Sequence, residues 1–183
     1  MLIQNLLLVA VLFSVSLILG TLASPDTSSE MLQEFGELLK PLKMAGPLFL
    51  LLVIFLNNAV KALGVIVFGI LLGLPPVLFI CVNGLILGAL ISGVESAKGM
   101  GYVVASLVPH GVIEVPMLLL ATALGFTVGW ESLKWLMRRK SLVKSQLSHG
   151  LKLYLTWVLP GLAVAAVIEV FITPWIVGLV GGG

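Results

Sequence analysis

The sequence predicts an all-α fold: a polytopic membrane bundle of about five spans, two of them interrupted near the midplane, plus one amphipathic surface helix. Three observations carry this. Of 183 residues, 60% are hydrophobic and 10% charged, with mean hydropathy +1.21, whereas soluble domains average about 25% charged residues. Five stretches approach or exceed the roughly 20 apolar residues that a helix needs to cross hydrocarbon: 2–22, 46–73, 76–92, 102–130 and 153–180. The polar connections reach only about twenty residues, short of the roughly 50 that a separate domain requires. Residues 1–183 therefore read as a single membrane domain.

The first stretch ends in Thr21-Leu22-Ala23, which resembles a signal-peptidase site. It has no basic residue ahead of it and exceeds the apolar core of roughly 7–15 residues typical of a signal peptide. It is expected to be retained as a span. Segment 24–45 carries Asp26, Glu30, Glu34 and Glu37 against Lys40 and Lys43, with Met31, Leu32, Phe35, Leu38 and Leu39 at helical spacing. That pattern predicts the amphipathic surface helix. Segment 131–152 carries Lys134, Arg138, Arg139, Lys140, Lys144 and Lys152, which places it in the cytoplasm by the positive-inside rule. Counting through five spans puts the N-terminus in the cytoplasm, 24–45 outside and the C-terminus extracytoplasmic, in a multi-pass protein of the cell membrane. Trp130, Trp135, Trp157 and Trp175 fall near span ends or loops, as an interfacial belt does.

Two stretches are long for their task. Residues 46–73 and 102–130 would run about 42–44 Å as straight helix, against about 30 Å of hydrocarbon. Each contains a candidate break: Asn57-Asn58 in one, Pro109-His110-Gly111 and Pro116 in the other. Gly69/Gly73, Gly84/Gly88 and Gly125/Gly129 are small-xxx-small pairs that permit close helix approach. Such faces would suit a homo-oligomer, by default a cyclic one. The net charge of +2 gives no reason to expect nucleic acid, and a lone Cys81 excludes an intrachain disulfide.

The informative residues are polar ones at one depth. Asn57 and Lys61 lie at the centre of the second stretch, Asn83 at that of the third, His110 and Glu114 at that of the fourth, and Glu169 near that of the fifth. Lys61, Glu114 and Glu169, all charged and separate, would cost roughly 8–10 kcal/mol on insertion scales. Convergence lowers that cost, so these side chains are expected to meet, with Lys61 or a protonated His110 balancing a carboxylate. The competing expectation is that buried polar groups only hold helices together, at about 0.6–2 kcal/mol per contact. His110, Glu114 and Glu169 are also the metal-ligand candidates, for a divalent ion.

The runs FLNNAVKALGVIVFGILLGL, VNGLILGAL, VPHGVIEVPMLLLATALGFTVG and AAVIEVFITP resemble the stage II sporulation protein M family over about residues 46–176. The resemblance implies a multi-span prokaryotic membrane protein, with the family's recurrent polar positions falling on Asn57, Asn83, His110, Glu114 and Glu169. In spore formers the namesake belongs to an engulfment complex with two cell-wall-degrading partners; nothing in this chain indicates spore formation.

Three functions follow, in order of preference. The first is a non-enzymatic scaffold recruiting membrane or extracytoplasmic protein partners, with 24–45 as docking surface. The second is a transporter or channel for protons, a cation or a small solute, using midplane ionisable groups. The third is an intramembrane metal-dependent hydrolase on His110, Glu114 and Glu169. It is weakened because only one histidine lies within a span and because Lys61 repels a cation.

Overall fold

The computed structural model describes residues 2–23 and 25–181. Five helical elements come first: α1 (Leu2–Thr21), α2 (Pro25–Met44), α3 (Pro47–Phe68), α4 (Leu74–Lys98) and α5 (Met100–Leu136). The last span is a chain of helical pieces without a break: α6 (Val143–Leu153), a π-helical turn (Tyr154–Val158), α7 (Leu159–Val167), a second π-helical turn (Ile168–Ile172) and α8 (Thr173–Gly181). Five of the described helical runs are long and apolar enough to cross a membrane, and no strand occurs among the described residues.

The elements differ from expectation in where the irregularities lie. The second stretch is not broken at Asn57-Asn58: α3 passes through both and stops at Phe68, and 69–73 form a turn. Gly73, at φ 76°, supplies the left-handed conformation that starts α4. The fourth stretch is not broken at Pro109 or Pro116 either. Both lie inside the 37-residue α5, because a proline forfeits one backbone bond and neighbouring turns can absorb that loss at membrane depth. The true departures from α geometry are the two π turns of the last span. Each ends immediately before a residue that precedes a proline. Leu159 donates its N–H to Tyr154 and Thr173 donates to Ile168, one residue further back than in an α-helix, just ahead of Pro160 and Pro174.

Helix α2 is present as expected. Glu30, Gln33, Glu34, Glu37 and Lys40 are exposed, with Lys40 paired to Glu37. Met31 is half-buried. The side chains of Asp26, Leu32, Phe35, Leu38, Leu39 and Lys43 lie outside the described residues.

Helix α5 is the hub. One core cluster joins it to α3 and the last span through Ala62, Ile66, Leu124, Tyr154, Val158 and Leu162, and the Tyr154 hydroxyl donates to the Ala59 carbonyl at 3.0 Å. A smaller cluster joins α5 to α1 and α4 through Val9, Ile80 and Ala123. The glycine pairs act inside the chain. A Cβ on Gly84 or Gly88 would run into the backbone of α1, one on Gly69 into Gly125, and one on Gly129 into Gly73. These glycine faces are filled by other helices of the same chain.

The same contacts sort the span ends. Asn5 donates to Thr127 Oγ1 at 2.8 Å, and Gly69 and Gly73 seat on Gly125 and Gly129. The start of α1, the 69–73 turn and the end of α5 therefore share one end of the bundle with the basic segment that follows α5. Gly20 against Gly88, Gly93 against Ser28 and Gly101 against Val180 mark the opposite end.

Candidate functional site

Helical spacing puts His110 and Glu114, one turn apart, on a single face of α5. The second π turn delivers Glu169 to the same place. One ligand atom from each of His110, Glu114 and Glu169 lies within 4.8 Å of the others, and all three residues are half-buried. The π turn matters locally: widening by one residue re-aims the side chains it carries, and such turns are frequent at functional sites.

Helix α3 packs against both α5 and the second π turn. On α3, Asn58 is half-buried, and Asn57 Nδ2 donates to Asn58 Oδ1 at 3.3 Å. Lys61 is exposed. It makes no ion pair with Glu114 or Glu169 within 4 Å among the described residues. Direct pairing of Lys61 with a carboxylate is therefore not what balances the cluster. Asn83 stands apart: its Nδ2 donates to the Phe79 carbonyl of its own helix at 2.7 Å.

Two of the three buried polar atoms without a partner among the described residues belong to this region, the third being Ser28 Oγ on α2. Lower on α5, Thr122, Thr127 and Ser132 each donate to the carbonyl four residues back, so those buried hydroxyls are settled within the helix. His110 Nδ1 and Thr173 Oγ1 are buried without a hydrogen-bond partner, and Thr173 follows Glu169 by one turn. One imidazole and two carboxylates form a mixed donor set of the kind that suits zinc, iron or manganese. Tetrahedral bonds of about 2.0–2.2 Å would draw the ligand atoms together by up to about 1.5 Å from the 4.8 Å limit of their present spacing. The donor set and the buried imidazole nitrogen fit a divalent ion.

One further acid was not anticipated. Glu131, 3% exposed, accepts from Lys134 at 2.6 Å and from the Leu142 backbone N–H at 2.8 Å. It pins the connection between α5 and α6. A single acid within a basic segment was the available signal.

The match to the family model of stage II sporulation protein M runs over residues 9–174. The chain belongs to the stage II sporulation protein M family. The match begins well before residue 46, where the resemblance in the motifs starts, and takes in most of α1 and all of α2. The chain is also 25% identical over 173 residues to the uncharacterized protein MJ0793 of Methanocaldococcus jannaschii, covering 92% of this chain and 93% of that one. No solved structure matches it. Family and fold together make it an integral membrane protein with a lipid bilayer as its surroundings.

Proposed function

We propose that this stage II sporulation protein M family member is a membrane scaffold whose bundle is clamped by a divalent cation on His110, Glu114 and Glu169. The observation that carries the proposal is the approach of three metal-ligating side chains from two spans inside an apolar bundle. The charge balance supports it. Two carboxylates beside a neutral imidazole are neutralised by one dication, whereas two unbalanced carboxylates at this depth would cost several kcal/mol. The ion would link α5 to the last span. The basic end of the bundle faces the cytoplasm by the positive-inside rule, which puts the start of α1 on that side and α2 outside. There Glu30, Gln33, Glu34, Glu37 and Pro41 line an open groove of about 760 Å³, whose acidic lining suits a basic segment of an extracytoplasmic partner.

Metal analysis of detergent-purified protein tests the centre. About one equivalent of a divalent transition metal per chain is expected after zinc or manganese loading and dialysis, falling to background in Glu114→Gln and Glu169→Gln. Equal content in wild type and variants would refute the centre.

Transport is a second reading, favoured by the exposed Asn57 and Lys61 beside a cluster at the middle of the spans. Vesicle reconstitution separates the two: a resident ion gives no flux, and a transported one gives flux that Glu114→Gln abolishes.

A further inference from the structure

The basic end of the bundle holds a second feature. Between the 69–73 turn and the α5–α6 connection lies a cleft of about 510 Å³, lined chiefly by apolar groups that include Leu72, Trp135, Leu136, Val143 and Leu147, with Lys144 among its walls. Trp135 is 70% exposed and Leu136 59% exposed, so the cleft is open to its surroundings on the side of these two residues. The segment joining the two helices that flank it carries Arg138, Arg139 and Lys140, all exposed. Among the described residues the acid in this region, Glu131, is taken up by Lys134; Arg138, Arg139, Lys140 and Lys144 have no carboxylate within 4 Å.

The geometry points to a binding site for an anionic phospholipid of the cytoplasmic leaflet. One acyl chain would lie along Leu72, Trp135 and Leu136, and the phosphate would sit at Lys144 and the adjoining basic segment. Charge complementarity and the apolar wall select this occupant: a free phosphate would leave the wall unused, and a zwitterionic lipid would leave the excess cations unmatched. The site is held ready by Glu131, whose bond to the Leu142 N–H anchors the connection, and by the left-handed turn at Arg138, φ 55°. Basic pockets at the cytoplasmic ends of spans are known lipid-headgroup sites, and each nearby cation is worth about 1 kcal/mol, or about fivefold in affinity.

Native mass spectrometry of the detergent-purified full chain, titrated with phosphatidylglycerol or phosphatidylcholine, tests this inference. One tightly held phosphatidylglycerol is expected, with at least tenfold weaker retention of phosphatidylcholine. Lys144→Ala should weaken phosphatidylglycerol about fivefold, and Val143→Trp, which fills the cleft, should abolish the tight adduct. Lys152→Ala, an exposed cation outside the cleft lining, should change nothing. Equal retention of the two lipids overturns the site. So does a preference for phosphatidylglycerol that Lys144→Ala and Lys152→Ala reduce alike, since that is the signature of diffuse surface attraction.

Discussion

The seam between α1 and α4 and the seam between α5 and the last span solve the same problem in opposite ways. The first is built from absence of side chain: Gly20, Gly84 and Gly88 let two backbones touch, and the association rests on van der Waals packing. The second keeps large side chains and puts His110, Glu114 and Glu169 between the helices. Packing at the first seam needs nothing from outside the chain. Charge at the second must be balanced, by protons or by a cation.

The contrast breaks most readily at the glycine seam. Gly88→Leu would drive a branched side chain into the α1 backbone, where no rotamer relieves it. The expected loss exceeds about 4 kcal/mol, in the range reserved for overpacking and backbone conflict. It should appear as failure to recover folded, monodisperse protein, with no dependence on added metal.

The polar seam should behave conditionally. Glu169→Gln removes a ligand and a buried charge together. With zinc or manganese at 100 times its Kd, wild type should be stabilised by about 2.7 kcal/mol relative to its metal-free form, and the variant should lack that increment. After chelation the variant should be at least as stable as wild type, because one uncompensated carboxylate has gone. Thermal unfolding with and without chelator measures both. Since ligands bind deprotonated, the metal-dependent increment should shrink as pH falls and reappear as it rises.

Smaller effects sharpen the comparison. Glu131→Gln weakens two charge-assisted bonds at the basic connection and should cost about 1–3 kcal/mol, with faster hydrogen exchange at the Leu142 amide and little change at the metal centre. Asn83→Leu should shift stability by no more than about 0.5 kcal/mol, because its donor serves only the Phe79 carbonyl. A larger loss in metal content with Asn83→Leu would mean that the polar layer extends to α4.

The spans were legible because burial in lipid writes itself as hydrophobic length. The residues of the centre were legible for the complementary reason, that a His110, Glu114 or Glu169 at that depth is too costly to be incidental. Their mutual approach follows from depth and cost, and so did Gly69, Gly84, Gly88 and Gly125 as close contacts. What sequence could not show was which partner each face meets. The glycine pairs look the same whether they join helices of one chain or two. Asn57 and Asn58 differ by one position, and the packing of α3 leaves Asn57 exposed and Asn58 half-buried. The prolines misled for a related reason. Pro109 and Pro116 sit within a continuous helix, whereas Pro160 and Pro174 follow π turns; the chemistry of proline is identical and the packing of the neighbouring turn decides.

Anomalous diffraction from zinc-loaded crystals at the zinc edge tests the central claim most directly. The account predicts one strong peak within about 2.0–2.2 Å of His110, Glu114 and Glu169 and its disappearance in Glu169→Gln. A zinc-loaded crystal with no peak between these three side chains, or with its density at the exposed His149 instead, would contradict it.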